Sequence, residues 1–557
     1  MLTRFRFALF ALIMAAVPAL AEGPGKAAIS SAHALATEAG FEVLEKGGNA
    51  FDAAVAVSAA LAVVEPSSSG IGGGGFWLLH RESDGFSTMV DGREEAPGAA
   101  TRDMYLDENG EVDRDLATDG PLAAGIPGAA AAWVHISRTY GELELAEVLA
   151  PAIRLAEQGF PVDVKYQQLL NWRAQVMMQW PYTAEIFMPG DELPDIGDTI
   201  VQKDLAVTLK RLAGDGHDGF YAGETAELLV EGSREAGGIW TLEDFADYQA
   251  VEREPITIEH DGYTLLTAAP PSSGGVAIAQ VLNLIEPFGW QEMGRVDRVH
   301  LLAEAMRRAY RDRALYLGDP DFVDIPFDML LSDDYAAGLR TTIRMDRALP
   351  SGHLAANPDR LRESNNTSHF SLIDAEGNMV SATLTVNLPY GSAFAAPGTG
   401  VLLNNEMDDF SAKAGEPNAF GLIGFEANAI EPGKRMLSSM SPTIIKGDER
   451  VAILGTPGGS RIITMVILGI LDFLEGNGPE SWVSLPRFHH QYLPDEISAE
   501  RDALTDKQIA GLEARGHTVS IRQRPWGNMH AVMWERLTNT LSAAHDPRLK
   551  SGGAEVR

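Results

Sequence analysis

An alternation of apolar and polar residues between Thr367 and Asn387 constrains the fold of this 557-residue chain more than any other feature. Apolar side chains occupy every second position along both arms of the stretch, on either side of a short loop, Ala375-Glu376-Gly377. A period of two indicates β-strands, and a glycine that can adopt a positive φ is typical of a tight hairpin turn. The stretch therefore predicts a buried antiparallel hairpin.

The register of this hairpin brings two threonines together. Counting outward from a facing pair of Asp374 and Asn378 places Thr367 beside Thr385 at the open end, with Asn387 just beyond. A cross-strand threonine pair is a common stabilising feature of sheets. The pattern is thus compatible with a structural pair and also with a reactive hydroxyl on Thr367.

A reactive Thr367 needs a base, because a lone threonine hydroxyl is a weak nucleophile. A free α-amine has a pKa of about 7.7–8.0, whereas lysine titrates near 10.4, so the amine is the better base at neutral pH. Cleavage of the Asn366–Thr367 peptide bond would place such an amine beside the Thr367 hydroxyl. The nucleophile and its base would then be the same residue.

Composition excludes several other chemistries. The chain has no cysteine, which removes disulfides, thiolate metal sites and a cysteine nucleophile. Its formal net charge of -34 disfavours binding to nucleic acid or to anionic membranes. Catalysis is therefore expected to use oxygen, nitrogen and backbone groups. Separately, we expect no metal and no cofactor.

The N-terminus predicts export. Arg4 and Arg6 precede an apolar run from Phe7 to Leu20, and the small-residue triplet Ala19-Leu20-Ala21 follows the pattern of a secretory cleavage site. The run is short for a membrane span and contains Pro18, which favours a cleaved signal peptide, residues 1–21, over a retained anchor. We expect a periplasmic protein in preference to a released one, without membrane contact after cleavage.

Apolar residues at helical spacing predict helix from Ala27 to Val64, interrupted at Gly47-Gly48.

The glycine-rich segment that follows has a structural and a functional interpretation. The glycines of 70–75 match the spacing of a dinucleotide-binding loop, but the residues after them, 76–79, resemble a strand where such a loop needs a helix. A closely packed glycine turn is therefore expected.

The pair His489-His490, with Asp495-Glu496 nearby, raises the question of a metal site. Adjacent histidines in a strand or irregular segment point in different directions, and the other histidines lack a matching spacing. A structural hydrogen-bonding role is therefore the prediction.

Eleven short motifs occur in one order along the chain, and together they are far more specific than any of them alone. They are GGNAFDAAVA (47–56), GGGGFWLL (72–79), DGREEAPGAA (91–100), AAGIPG (123–128), PPSSGG (270–275), EAMRRAYRDRALYLGDPDFVD (304–324), TSHFSLID (367–374), LLNNEMDDFS (402–411), RMLSSMSPT (435–443), GTPGGSRIIT (455–464) and PRFHHQYLPDE (486–496). In these motifs the chain resembles the γ-glutamyltransferases (glutathione hydrolases) of the N-terminal-nucleophile superfamily, over nearly all of its mature length.

This resemblance implies an α+β fold, the αββα sandwich of the N-terminal-nucleophile hydrolases. It also implies one precursor that cuts itself between Asn366 and Thr367. The products would be a large subunit, 22–366, and a small subunit, 367–557, which stay entwined as a heterodimer.

The resemblance also assigns roles at the scissile bond. Thr367 would be the nucleophile, with its new amine as general base and then general acid. Thr385 would hydrogen-bond to Thr367 and orient it. The backbone amides of Gly458 and Gly459 would form the oxyanion hole, a group of donors whose individual loss costs about 2.7–4 kcal/mol.

A second set would bind the amino-acid end of a γ-glutamyl group. Arg93 would take its α-carboxylate, a task suited to the guanidinium fork, with hydroxyls from Ser438 and Ser439. Glu406 and Asp409 would receive the α-ammonium, and Asn387 would hold the same end. Taken singly, Arg93 and the two acids favour surface or structural ion pairing, and only the ordered motifs favour the binding role.

The loop SAKAGEPNAFGLIG (411–424) resembles a lid that covers the site in many bacterial members. A tyrosine is frequent where this chain has Phe420. A phenylalanine can shield the pocket but cannot donate a hydrogen bond to Asn387, so the balance between hydrolysis and transfer stays open.

Three functional hypotheses follow from these observations. The first is an exported γ-glutamyl hydrolase and transferase, which takes glutathione and other γ-glutamyl compounds as donors and water, amino acids or peptides as acceptors. The second is an acylase for glutaryl-cephalosporin-type side chains on the same scaffold, since a fold does not fix a substrate. The third is an unprocessed protein that binds γ-glutamyl compounds without turnover.

Overall fold

The structure is a computed structural model that describes residues 23–354 and 367–557, so the predicted signal peptide and Asn366 lie outside the described residues. Its strands are β1 Ala28–Ser31, β2 Gly74–His80, β3 Ser87–Gly92, β4 Phe160–Pro161, β5 Thr199–Ile200, β6 Val251–Arg253, β7 Ile256–His260, β8 Tyr263–Thr267, β9 Ser368–Ile373, β10 Met379–Thr385, β11 Thr443–Lys446, β12 Arg450–Gly455, β13 Phe488–His489, β14 Ile497–Glu500, β15 Val519–Arg522, β16 His530–Glu535, β17 Thr540–His545 and β18 Gly553–Val556.

The α-helices occur mainly before residue 341. They are α1 Ala34–Glu45, α2 Ala50–Val64, α3 Arg114–Thr118, α4 Ala129–Tyr140, α5 Leu145–Gln158, α6 Val164–Met177, α7 Pro181–Phe187, α8 Lys203–Asp215, α9 Asp218–Tyr221, α10 Gly223–Glu235, α11 Leu242–Asp247, α12 Gly274–Ile285, α13 Arg295–Tyr316, α14 Phe327–Leu330, α15 Asp333–Arg340, α16 Ile462–Leu474, α17 Pro479–Ser484 and α18 Asp506–Glu513.

Two large sheets lie face to face at the centre of the molecule. The first has the strand order β18-β1-β9-β10-β2-β3-β6, and the second β17-β16-β12-β11-β8-β7. Strands β9 and β10 of the first sheet contact β12 of the second. Serine side chains cross the gap, since the Ser381 and Ser371 hydroxyls donate to the carbonyls of Leu454 and His530.

Helices cover the outer face of each sheet. On strand β2, Trp77 and Leu79 belong to the core under α1, α2, α4 and α5. Phe76 and Leu78 point the other way, into the core shared with the second sheet, α12, α13 and α16. Successive side chains of a strand face opposite sides of its sheet, so one strand serves both cores. The αββα architecture is confirmed.

The hairpin of β9 and β10 has the predicted register. Ser368 faces Leu384, and the Asp374 amide donates to the carbonyl of Asn378 across the turn. Gly377 has a φ of 91°, as the tight turn requires. Continuing the register outward by one residue places Thr367 opposite Thr385, the predicted pair.

The predicted helix from Ala27 to Val64 was wrong at its start. Residues Ala28–Ser31 form strand β1, which pairs with β9 on one side and β18 on the other. Both partners lie more than 300 residues further along the chain, and this distant pairing overrides the local preference of a short segment. The remaining helix divides at Gly47 and Gly48 as expected.

The glycine-rich segment before β2 is a close-packed turn, as predicted. A Cβ on Gly73 would overlap the carbonyl oxygen of Thr385, and one on Gly72 would overlap that of Leu402. Only glycine lets this segment approach the open end of the hairpin so closely. The glycine segment therefore packs directly against the backbone of Thr385.

His489 and His490 have the predicted structural role. The His489 ring hydrogen-bonds to Thr464 and Gln491, and the His490 ring to Arg307 and Asp495. Burial lowers the pKa of His489 to about 3 and that of His490 to about 4, so both rings are neutral.

Within residues 23–354 and 367–557, helices of the length and apolar character needed to cross a bilayer do not occur.

Candidate active site

Thr367 stands between two cavities at the open end of the hairpin. It is only 4% exposed, and it lines both a small cavity of about 20 Å³ and a larger one of about 790 Å³. Two adjacent glycines lie on different sides of Thr367: Gly459 lines the small cavity and Gly458 lines the large one. A group bonded to Thr367 Oγ can thus extend to either side.

Thr385 and Asn387 form a rigid turn next to Thr367. The Thr385 Oγ1 accepts a hydrogen bond of 2.7 Å from the Asn387 backbone N–H, and Asn387 has a φ of 73°. The Asn387 side chain donates to the carbonyl of Asn405 at 2.8 Å. Among the described residues the Thr385 hydroxyl has no acceptor for its own proton. The Thr385 side chain lines the same small cavity as Thr367.

Arg93 lies at the end of β3 and is completely buried. Its Nη1 donates to Glu406 at 2.5 Å and its Nη2 to Asp409 at 2.6 Å, while Nε donates to the carbonyl of Met436 at 3.1 Å. A carboxylate of Asp91 fixes the Arg93 backbone by accepting its N–H. The guanidinium plane is thus held in one orientation at the wall of the small cavity.

Burial raises the pKa values of the carboxyl groups around Arg93. Burial raises the pKa of Glu406 well above its usual value, although Arg93 opposes the shift. The same burial raises the pKa of Asp409, and it raises that of Glu94 to about 7. For Arg93, burial alone would lower the pKa, but Glu406 and Asp409 outweigh it and keep the pKa above its ordinary value. Three carboxyls around one guanidinium make the site attractive to a cation.

Ser438 and Ser439 line the same cavity from another loop. The Ser438 backbone is fixed by the motif 270–275, since the Ser438 amide donates to Pro271 and its carbonyl accepts from Ser273. The hydroxyl of Ser439 is buried without a hydrogen-bond partner among the described residues. A further unpartnered atom there is Oε1 of Glu406. The small cavity therefore presents one open hydroxyl and one open carboxylate oxygen.

Gly458 and Gly459 form the turn between β12 and α16, with φ values of 143° and 56°. L-residues rarely adopt such values. A Cβ on Gly459 would overlap the ring of Phe420, and one on Gly458 would approach the Met465 side chain. Both positions thus require glycine, for conformation and for space.

The segment 411–424 covers the small cavity, with Phe420 buried at 7% exposure. Two acids fix the position of this segment by hydrogen bonds. Asp408 accepts a hydrogen bond from the Ala419 backbone N–H at 2.9 Å, and Asp409 accepts one from the Asn418 side-chain amide at 3.0 Å. Burial raises the pKa of Asp408 to about 7. Asp409 contacts Arg93 and the lid at once.

The structure brings all but two of the predicted site residues to the small cavity. The exceptions are Asn366, which lies outside the described residues, and Gly458, which lines the large cavity. The sequence patterns did not single out Glu94, Leu422, Met440 or Ile462; adjacency to Arg93 in the GREEAP motif was the available signal for Glu94. The predicted residues that line the small cavity are Arg93, Thr367, Thr385, Asn387, Glu406, Asp409, Phe420, Ser438, Ser439 and Gly459.

Comparisons with known proteins agree with this arrangement. The family described as Gamma-glutamyltranspeptidase matches residues 36–556. The glutathione hydrolase proenzyme of Escherichia coli (strain K12) is 41% identical over 531 residues, which cover 93% of this chain and 91% of that protein.

Solved structures show the same fold. A cephalosporin acylase from Bacillus halodurans aligns over 99% of both chains with a TM-score of 0.84 and 26% identity. The gamma-glutamyltranspeptidase of Helicobacter pylori aligns with a TM-score of 0.57 and 40% identity, covering 60% of this chain and 97% of that one. By sequence and by fold, the chain belongs to the gamma-glutamyltranspeptidase family.

Proposed function

We propose that this chain is an exported γ-glutamyl hydrolase and transferase that matures by cutting itself between Asn366 and Thr367. It would release the γ-glutamyl group of glutathione and related amides to water, or pass it to an amino acid or peptide. The observation that carries this proposal is the polarity of the small cavity beside Thr367.

That cavity is complementary to a zwitterion. Arg93 and the open Ser439 hydroxyl suit an α-carboxylate, and Glu406 with Asp409 suits an α-ammonium. The γ-carbonyl of a bound glutamyl group is then the part that reaches Thr367. A substrate without the ammonium would leave two buried acids with only Arg93 as partner.

The ion pairs of Arg93 explain how the buried site tolerates such charges. Arg93 forms ion pairs with Glu406 and Asp409. A zwitterion would insert its carboxylate against Arg93 and its ammonium against the acids, so each buried charge keeps an opposite partner. This matters because an unpaired buried charge costs several kcal/mol.

Self-cleavage would use the same hydroxyl. The Thr367 Oγ attacks the carbonyl carbon of Asn366, the C–N bond breaks, and the acyl group moves to oxygen as an ester. Water then hydrolyses the ester and leaves Thr367 with a free α-amine and its hydroxyl. The products are a large subunit, 22–366, and a small subunit, 367–557.

The sheets support a lasting association of the two subunits. Strands β9 and β10 lie between β1 and β2 in the first sheet, and β11 pairs with β8 in the second. Each sheet would therefore contain strands from both products, joined by backbone hydrogen bonds and by shared cores.

In turnover the α-amine of Thr367 accepts the hydroxyl proton as Oγ attacks the γ-carbonyl. Thr385 donates a hydrogen bond to Thr367, and the amides of Gly458 and Gly459 stabilise the oxyanion. The ammonium then protonates the leaving amine, which departs and leaves a γ-glutamyl ester. Water gives glutamate, and an acceptor amine gives a new γ-glutamyl amide.

We further propose that residues 1–21 direct export and are removed, which places the enzyme in the periplasm. Mass spectrometry of the protein recovered from a periplasmic fraction tests this. A mature N-terminus at residue 22 is expected, and an intact residue 1 in the cytoplasmic fraction would contradict it.

Maturation is tested by denaturing electrophoresis of the purified protein. Two bands are expected, the smaller one with Thr367 at its N-terminus by Edman degradation. Thr367→Ala should give a single band and no turnover, whereas Thr538→Ala, a threonine far along the chain in an exposed turn, should mature normally. A single uncleaved chain with full activity would contradict the proposed mechanism.

A second candidate is an acylase for glutaryl amides, which the likeness to a cephalosporin acylase favours. A glutaryl group lacks the α-amine, so it cannot use Glu406 and Asp409. Hydrolysis of a γ-glutamyl anilide should therefore exceed that of a glutaryl anilide by at least tenfold. Equal rates would favour the acylase.

A further inference from the structure

Arg313 is a buried cation without a counter-charge. It lies in the last turn of α13 and is 5% exposed, yet within residues 23–354 and 367–557 it forms no ion pair with a carboxylate. A buried charge that lacks a partner destabilises a fold. The partial negative charge at the C-terminal end of α13 offsets only part of this cost. No step of the proposed mechanism uses Arg313, so its charge needs an explanation.

The Arg313 side chain is bonded to the loop that carries Ser438 and Ser439. Its Nε donates to the Ser273 hydroxyl at 3.0 Å, and that hydroxyl donates to the Ser438 carbonyl at 2.7 Å. The Ser273 backbone N–H donates to the same carbonyl at 2.8 Å. Ser438 and Ser439 both line the small cavity. The positive charge of Arg313 is therefore two hydrogen bonds away from the wall of that cavity.

Tyr310 holds the same helix against the other side of the site. Residues three apart on a helix lie on one face, so Tyr310 and Arg313 point in similar directions. The Tyr310 hydroxyl donates to the Ser460 carbonyl at 2.5 Å, directly after the glycine turn 458–459. Helix α13 is thus bonded to the oxyanion turn and to the Ser438 loop. The position of Arg313 is fixed relative to both.

The charges around the small cavity also call for a second cation. Arg93 forms ion pairs with three carboxyl groups, those of Glu94, Glu406 and Asp409. A substrate α-carboxylate would be a fourth carboxyl group beside one guanidinium. Burial lowers the pKa of Arg313 to about 10, while Asp409 opposes this shift and Arg93 adds to it. Arg313 is therefore charged at neutral pH and lies within electrostatic range of the site.

We propose that Arg313 is a positioning residue for the donor, whose unpaired charge draws the donor α-carboxylate towards the loop of Ser438 and Ser439. The proposal rests on the proposed function. Arg313 itself does not line the small cavity. It acts through its electric field and through Ser273, and buried charges are screened far less than exposed ones. The bound carboxylate would supply the negative charge that Arg313 otherwise lacks.

The test compares three p-nitroanilides as donors for the matured enzyme. The γ-glutamyl anilide has both charged groups, the 4-aminobutyryl anilide lacks the α-carboxylate, and the glutaryl anilide lacks the α-ammonium. Arg313→Met replaces the charge by an adaptable apolar side chain. It should lower kcat/KM about tenfold, mainly through KM, for the two anilides that carry the carboxylate. For the 4-aminobutyryl anilide the change should be less than twofold.

The pattern across the three donors separates this role from two others. An equal loss for all three anilides would mean that Arg313 only supports the fold. A loss confined to the two anilides with an ammonium group would mean that Arg313 acts by keeping Asp409 ionised. Either pattern would overturn the proposal.

Two further substitutions separate the charge from the hydrogen bond. Arg313→Lys keeps the charge and should stay within about threefold of the wild type for every donor. Arg313→Gln keeps a donor for Ser273 without the charge, so it should show the same selective loss as Arg313→Met and replaces that variant if it fails to mature. Arg311→Met, which removes a partly exposed arginine of the same helix, should keep the wild-type ratios.

The outcomes also separate this proposal from the proposed function. Release of p-nitroaniline from the γ-glutamyl anilide, with ratios between the donors that no Arg313 variant alters, would overturn the role of Arg313 alone. Absence of that release from the matured wild type would overturn the proposed function, and the role of Arg313 with it.

Discussion

Arg93 and Glu406, 313 residues apart in the chain, form a buried ion pair with 2.5 Å between Nη1 and Oε2. Asp409 takes the other terminal nitrogen of the same guanidinium at 2.6 Å. The fork of one arginine thus holds two acids apart and still faces the cavity beside Thr367. A point charge on a flexible stem could not do this.

We therefore expect Arg93→Lys to lower kcat/KM for a γ-glutamyl anilide about 100-fold, mostly through KM. An ammonium cannot bridge both acids and also bind a carboxylate with two parallel hydrogen bonds. Steady-state kinetics measures the effect. Arg501→Lys, at an exposed position, is the matched control. A change in KM of less than threefold would show that Arg93 does not contact the substrate.

Glu406→Gln should reduce discrimination by the α-amine. The amide keeps a hydrogen-bonding oxygen but loses the charge that attracts an ammonium. The ratio of γ-glutamyl to glutaryl anilide hydrolysis should fall about 10- to 100-fold, because a buried charged hydrogen bond contributes about 1.5–3 kcal/mol. Glu513→Gln, an exposed substitution, should leave the ratio as it is.

Much of the catalytic end of this site was predictable because it depends on local order. The alternation across 367–387 determined the strand pair and its register, and the register brought Thr367 to Thr385. A glycine turn at 70–75 followed from the absence of a helix after it. Such features need only a period of two and the conformational range of glycine.

The rest depends on contacts between distant segments. Strand β1 was predicted as helix, because only its pairing with β9 and β18 makes it a strand. For Glu406 and Asp409, the sequence leaves both a ligand-binding role and structural ion pairs open, and no local pattern shows that both acids pair with Arg93. The resemblance to a family supplied the residues, and the structure supplied their partners.

Thr385→Val should separate orientation from binding. Valine keeps the shape of the side chain but removes the acceptor for the Asn387 N–H. It also removes the hydroxyl proton that we propose Thr385 donates to Thr367. The kcat should fall about 100-fold with little change in KM, and maturation should slow in parallel. Thr385→Ser, which restores the hydroxyl, should recover most of both rates. Loss of maturation without rescue by serine would indicate a packing role only.

Asp408→Asn should change how stability depends on pH. Burial raises the pKa of Asp408 from its ordinary 3.8 to about 7, so the folded protein keeps a proton there that the unfolded chain has already lost. The associated stability is complete below about pH 4 and disappears as pH rises through 7, with a slope of about 1.36 kcal/mol per pH unit between them. Asparagine does not titrate.

Urea unfolding at pH 5 and pH 8 measures this effect. The wild type should lose stability relative to the asparagine variant by about 1–4 kcal/mol between the two pH values. Asp506→Asn, an exposed change at the start of α18, should show no such difference. Parallel pH profiles of wild type and Asp408→Asn would show that Asp408 is already ionised at pH 5.

The contact between Gly459 and Phe420 joins the oxyanion turn to the lid. A Cβ on Gly459 would overlap the Phe420 ring, and its φ of 56° is a left-handed value that costs a side chain about 1–2 kcal/mol. Gly459→Ala should therefore lower kcat at least 100-fold through strain and through displacement of the lid. The two causes can be separated by a double-mutant cycle.

Phe420→Ala added to Gly459→Ala removes the overlap but leaves the strained φ. If the overlap displaces the oxyanion turn, Phe420→Ala should raise kcat about tenfold when it is added to Gly459→Ala. The same Phe420→Ala substitution should lower kcat when it is made in the wild type. That opposite sign is an energetic coupling between the two residues. Purely additive losses would mean that backbone strain at Gly459 alone disrupts the amide, and that the lid position has no part in holding the oxyanion hole.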